Sequence, residues 1–148
     1  MKNDDLIHIY TDGACRGNPG PGGWGAILIC GPYRKEIKGG NLLSTNNIME
    51  LTAVIKALEL IKKPSDIEIT TDSKYVKNGI TSWIFNWKSK GWKTANKKPV
   101  KNKDLWINLD NLCSEHNIKW KWVRGHTGHL ENELADKLAN EGINNLYK

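Results

Sequence analysis

Apolar and polar residues follow two periods along this chain, and the points where one gives way to the other mark its elements. Residues 6–11 and 67–71 are short runs rich in β-branched and aromatic side chains, the composition of strands. Residues 24–30 and 33–38, split by the breaker Gly31-Pro32, predict a hairpin that continues the first strand into an antiparallel meander, with Gly39-Gly40 ending it. From an N-cap at Thr45 or Asn46 to Ile61, the positions Ala53, Val54, Ala57, Leu58 and Ile61 recur at helical spacing, and Pro64 stops the element. Ser73 caps a short helix over 74–78 that Gly79 breaks, and a second helix follows to Ser89. Helical period returns over 103–115 through Leu105, Trp106, Leu109 and Leu112. Ile118, Trp120 and Trp122 then alternate as a half-buried strand, and a last helix covers 131–144. The stretch 13–23 is so rich in Gly and Pro that it reads as a tight loop.

Strands first, then helix, strand, helices, strand and helix, predict an α/β domain whose sheet is antiparallel in one half and parallel in the other, because crossover helices demand parallel neighbours. The strands at 6–11 and 67–71 should lie side by side and point the same way. Each is followed at its carboxyl end by an acid, Asp12 and Asp72, and that edge is where ligands bind in open α/β sheets. Two further acids stand beside apolar helix stripes. Glu50 precedes Ala53 and Val54 by one turn, and Asp136 shares a face with Ala139 and Ile143. A Glu in a first turn is also favoured by the helix dipole, so either acid alone says little. Four converging carboxylates repel one another until hard divalent cations enter; magnesium suits an all-oxygen set, whereas zinc prefers His and Cys.

Composition narrows the class. At 148 residues and 39% hydrophobic content, the chain fits one globular domain, 1–148, with a real core. No apolar run approaches the roughly 18 residues of a membrane span, and no secretory leader is evident, so the expected address is the cytoplasm, with no membrane partner. Cys15, Cys30 and Cys113 are odd in number and contain no C-x-x-C pair, which speaks for reduced thiols rather than a disulfide framework or a zinc site. The net charge of +6 is concentrated: residues 86–103 hold seven lysines and no acid. A nearly neutral body with one basic lobe implies a localised polyanion contact, against the alternative of a solvated lysine-rich loop. The lobe interleaves its lysines with Trp83, Trp87 and Trp92, a combination that holds nucleic-acid backbones, although most of these rings are expected to pack the lobe onto the body. In the turn 125–129, His126 has the chemistry of a proton shuttle beside a metal site, while His129 is expected to brace the last helix and His8 to be structural.

In their order and spacing, Tyr10-Thr11-Asp12-Gly13, Gly17-Asn18-Pro19-Gly20-Pro21-Gly22-Gly23, Asn46-Asn47-Ile48-Met49-Glu50-Leu51, Thr71-Asp72-Ser73, and Gly125-His126-Thr127-Gly128-His129 with Glu131-Asn132-Glu133 and Asp136 closely resemble bacterial type 1 ribonuclease H over nearly the whole chain. The resemblance implies a five-stranded mixed sheet with strands 1–3 antiparallel, strands 1, 4 and 5 parallel, and helices on both faces. It implies endonucleolytic cleavage of the RNA strand of RNA–DNA hybrids by a monomer, leaving 5′-phosphate and 3′-hydroxyl ends. By the same resemblance, Asp12 bridges two magnesium ions, for which manganese can substitute; Asp136 completes one site, and Glu50 with Asp72 the other. His126 matches the loop histidine of proton transfer or product release. Asn18, Asn46 and Asn47 match minor-groove contacts, where a 2′-hydroxyl marks RNA, and Thr45 and Asn102 match DNA-phosphate contacts. Residues 82–103, with Trp83, Trp87, Lys97, Lys98 and Lys101, match the basic protrusion that grips the hybrid. Ile48 departs from the pattern, standing where relatives often carry arginine. Two rivals remain open at this stage, a non-catalytic hybrid-binding module and a DNA-directed nuclease of the wider superfamily.

Overall fold

The computed structural model describes residues 6–124 and 129–148. Five strands form one sheet in the order β3-β2-β1-β4-β5: β1 (Ile7–Cys15), β2 (Gly20–Cys30), β3 (Tyr33–Ser44), β4 (Asp66–Thr71) and β5 (Asn117–Trp122). β1, β2 and β3 pair antiparallel, while β1–β4 and β4–β5 pair parallel, as the element order demanded. Helix α1 (Asn46–Glu59) begins at Thr45, whose Oγ1 accepts from Ile48 N–H at 3.2 Å. It packs on β1 and β2 beside α4 (Lys103–Ser114), and their shared core is Ile9, Leu51, Val54, Leu58, Trp106 and Leu109. Helix α5 (Leu130–Asn145) lies across β1, β2 and β3. Neighbouring residues of β2 assign the helices to opposite faces, because successive side chains of a strand alternate. A Cβ on Gly22 would meet Met49 of α1, and one on Gly23 would meet Ala139 of α5.

The glycine-rich segment differs from the loop its composition predicts. β1 does not stop at Asp12 but runs to Cys15, and β2 already begins at Gly20, so only residues 16–19 connect them. Likewise Gly39-Gly40 does not end β3, which continues to Ser44. The physical reason is helix proximity: a Cβ on Gly23 would lie 2.8 Å from Ile143 Cγ1 and one on Gly40 2.6 Å from the Gly142 carbonyl oxygen, so glycine is what lets α5 touch the sheet.

After β4, Ser73 caps α2 (Lys74–Asn78) as its position suggested, its Oγ accepting from Val76 N–H at 3.1 Å. Gly79 does not break the helix. It opens a wide π-type turn (Gly79–Trp83) that leads without interruption into α3 (Ile84–Ser89), because Gly79 is buried against the Trp106 indole. The basic segment that follows is folded rather than loose. Lys93 and Pro99 form an isolated bridge, Thr94 N–H donates to Lys98 O at 2.8 Å, and Val100 N–H donates to Trp92 O at 3.1 Å.

Candidate active site

Pairing between β1 and β4 ends at Tyr10–Thr70, while β1 stays bonded to β2 as far as Cys15. Asp12 therefore sits where the two parallel strands part, at the carboxyl edge of the sheet. It lies opposite Gly25 in the antiparallel register and so projects on the α5 side, toward Asp136. The next residue, Gly13, makes room on the other side. A Cβ there would stand 2.5 Å from the Glu50 backbone nitrogen, so this glycine lets the first turn of α1 close onto β1. Asp72 follows β4 in a turn fixed from two sides: Ser73 N–H donates to Thr71 Oγ1 at 3.1 Å, and the Trp122 indole N–H donates to the Asp72 carbonyl at 3.2 Å.

The four acids named from the sequence thus share one cleft of about 380 Å³ with Gly13, Asn46, Asn47, Ser73, Lys74 and Tyr75. Carboxylate oxygens of Asp12, Glu50 and Asp72 all lie within 4.8 Å of one another. Asp136 joins them through a hydrogen bond between its carboxyl group and that of Asp12, and is itself steadied by Asn140, whose Nδ2 donates to the Asp136 carbonyl at 3.0 Å. Asp12 and Glu50 are buried. Loss of hydration, and then the charges of the neighbouring carboxylates, push Asp12 up to about 9. Glu50 is driven well above the ordinary carboxyl range by burial and by Asp12 and Asp72, an effect that a backbone hydrogen bond from Gly13 only partly offsets. Glu50 Oε1 is buried with no hydrogen-bond partner among the described residues. Crowded oxygens, raised carboxyl pKa values and an orphaned acceptor fit a hard divalent cation, which would satisfy all three at once.

The other sequence-named residues divide into three groups. Asn46 and Asn47 are exposed at the cleft, and Asn18 is tied to them, its Oδ1 accepting from Asn46 N–H at 3.1 Å. Thr45 uses its hydroxyl oxygen to cap α1. Trp83, Trp87 and Trp92 form a chain of rings with centroid separations of 5.9 and 6.3 Å, and Trp87 closes on buried Trp106 at 5.4 Å. These rings do pack the lobe onto the body, while Trp83 stays partly exposed. Lys97, Lys98 and Lys101 are exposed, and Asn102 is half-buried at the root of the lobe. His126 lies outside the described residues. His129 occupies the N-cap position of α5, as its expected place at that helix requires, but it caps through its carbonyl, which accepts from Glu133 N–H at 2.9 Å, and not through its side chain. The sequence reading passed over Lys74 and Tyr75. The available signal was their place directly after Asp72 at the ligand-binding edge.

Comparison with known proteins agrees with this arrangement. The family model for RNase H matches residues 4–144. A ribonuclease H of Thiobacillus denitrificans is 61% identical over 139 residues, covering 94% of each chain, and a ribonuclease HI of Pseudomonas syringae pv. tomato is 56% identical over 142 residues, covering 96% of this chain and 95% of that protein. Among solved structures, LC9-RNase H1, a type 1 RNase H with the type 2 active-site motif, superposes with a TM-score of 0.87 at 32% identity, over 95% of this chain and 73% of that one. LC11-RNase H1, solved in complex with an RNA/DNA hybrid, superposes with a TM-score of 0.70 at 25% identity, over 96% of this chain and 99% of that one. On the family match over residues 4–144, with relatives 61% and 56% identical over nearly the whole chain and the shared fold, this chain belongs to the ribonuclease H family.

Proposed function

We propose that this protein is a magnesium-dependent endonuclease that hydrolyses the RNA strand of RNA–DNA hybrids, acting as a monomer in the cytoplasm. The observation that carries the reading is one cleft holding Asp12, Glu50, Asp72 and Asp136, lined on one flank by Asn46 and Asn47. A related enzyme, LC11-RNase H1, has been solved with an RNA/DNA hybrid bound, which supports the substrate class.

In this reading Asp12, Glu50, Asp72 and Asp136 are the residues that would hold the metal, Asp12 standing in contact with the other three. Two magnesium ions, or manganese in their place, supply an activated water and charge neutralisation at the leaving oxygen when bound. Water attacks the scissile phosphorus in line, the P–O3′ bond breaks with its electron pair on the 3′ oxygen, which takes up a proton, and the new P–O bond stays on the 5′ side. The products carry 5′-phosphate and 3′-hydroxyl ends. The chain's own groups do the rest. His126 carries the proton away or assists product departure. Asn18, Asn46 and Asn47 read the 2′-hydroxyl across the minor groove. Asn18 Oδ1 is engaged by Asn46 N–H, which leaves its Nδ2 group as the outward donor. Thr45 and Asn102 hold a DNA phosphate, while Trp83, Trp87, Lys97, Lys98 and Lys101 grip the duplex from the lobe.

The test is incubation with a labelled RNA–DNA hybrid beside matching RNA and DNA duplexes, with magnesium and with chelator. Magnesium-dependent loss of only the hybrid's RNA strand is the expected result. Hybrid binding without cleavage at saturating magnesium would replace the enzyme with a binding module, and DNA cleavage would replace the substrate.

A further inference from the structure

We infer that Tyr75 is a positioning residue for substrate binding, its hydroxyl aiming the Asn102 amide at the duplex and joining the basic lobe to the catalytic cleft. Tyr75 sits in the first turn of α2, three residues beyond Asp72, and its body lines the cleft. Its hydroxyl accepts two hydrogen bonds from the far side, one from Trp106 Nε1 at 3.0 Å and one from Asn102 Nδ2 at 3.1 Å. Trp106 is completely buried, so the first bond fixes the hydroxyl, and the fixed hydroxyl in turn orients the amide. Edge-on packing against Trp83 at 5.8 Å and tilted packing against Trp106 at 5.3 Å hold the phenol ring in place.

Asn102 departs from the ordinary behaviour of its position. An asparagine at a helix N-cap usually takes extended backbone and bonds the first turn of its own helix. Here Asn102 has φ 60° and ψ 31°, and its side chain makes no capping bond to α4. The left-handed backbone turns the amide away from α4, and Tyr75 receives one of its two N–H groups. The second N–H remains a donor at the root of the lobe, beside exposed Lys101. That second Asn102 N–H therefore stands between the cleft and the lysines, where it suits a phosphate oxygen. The inference rests on the proposed role of Asn102 as a phosphate contact and adds the group that aims it.

The experiment is a double-mutant cycle on hybrid cleavage with Tyr75→Phe, Asn102→Ala and the pair, run where circular dichroism shows every variant folded. Tyr75→Phe keeps the ring contacts and should raise KM by about threefold to tenfold, the scale of one hydrogen bond, with kcat unchanged. In the Asn102→Ala background the same change should add little, because the two residues act through one bond. If Asn102→Ala alone leaves KM unchanged, the phosphate-contact reading falls and this inference with it. Should Asn102→Ala raise KM while Tyr75→Phe only lowers Tm, Tyr75 is merely structural and the inference alone falls. An undiminished Tyr75 effect in the Asn102→Ala background also overturns it, since Tyr75 then acts independently.

Discussion

Asp12 and Glu50 are largely stripped of water at the floor of the cleft and each faces the other's charge, so the metal-free protein favours their protonated forms. A carboxyl whose folded pKa is raised takes up a proton on folding. Its stabilising effect is complete below the unfolded value, 3.8 for Asp12, and is lost as pH rises toward the folded value of about 9. With chelator present, Tm should therefore fall between pH 4 and pH 9 by more than surface carboxylates explain. Asp12→Asn removes the charge and keeps the shape. In chelator at pH 7 it should stabilise the fold by on the order of 2–4 kcal/mol, raising Tm by about 5 °C or more. The same variant should lose nearly all cleavage and most of the Tm increase that magnesium gives the parent protein through binding linkage. An Asp12→Asn protein with unchanged or lower Tm in chelator would mean that the carboxylate is not strained by its neighbours. Normal turnover by that variant would remove Asp12 from the metal site.

Helix α5 presents Asp136 to Asp12 only because glycine in β2 lets it approach the sheet closely. The site for a Cβ on Gly25 is 2.6 Å from the Ala135 carbonyl oxygen, one residue before Asp136, and the atoms in the way are backbone that cannot swing aside. Gly25→Ala should therefore push α5 outward at the acid itself, destabilising the fold by about 1–3 kcal/mol as overpacking does. It should also lower kcat by about tenfold to a hundredfold, since a displacement near 1 Å at a catalytic group has that scale. Denaturant unfolding and steady-state kinetics read the two effects; a Gly25→Ala protein with parental kcat would show that Asp136 needs no such placement. The same contact explains what could and could not be read from the sequence. Alternation in 67–71 and the Ala53, Val54, Ala57, Leu58 stripe located β4 and α1 because their periods are local properties. Gly13, Gly22 and Gly23 looked like loop because the helices they admit lie far along the chain. Gly79 looked like a stop for the same reason, its partner being Trp106 in α4. At the site, the four acids were legible because each interrupts an apolar strand or stripe. Tyr75 was not, because an aromatic residue in a helix after a strand reads as core; its place just after Asp72 was the one hint, and its hydroxyl's partners give the use.

Charge is divided across the molecule, with acids at the cleft and lysines in the lobe, and a hybrid spanning both would meet attraction at one end and, without metal, repulsion at the other. Among the described residues, Lys88 alone of the lobe's seven lysines forms an ion pair, with Asp110 at 3.1 Å. Lys97, Lys98 and Lys101 are exposed; the bridge from Lys93 to Pro99 holds the backbone of the first two, and the bonds of Val100 to Trp92 and Lys103 hold that around the third. They are thus ordered cations without internal counterions, and phosphates can replace the small ions around them. Each phosphate neutralised releases condensed counterions, so the binding constant falls with salt in proportion to the number of contacts. Replacing Lys97, Lys98 and Lys101 together by Ala should lower the slope of log Kd against log salt by about 2–3 and raise KM, with kcat at saturating hybrid unchanged, because the four acids proposed to hold metal lie elsewhere. Loss of affinity should be greatest at low salt and shrink as salt rises, since screening removes from the parent what mutation has removed from the variant. An unchanged slope would make these lysines solvated surface and leave the grip to Asn102, Thr45 and the tryptophans. A fall in kcat with KM intact would mean that the lobe sets the position of the scissile phosphate rather than the affinity for the duplex.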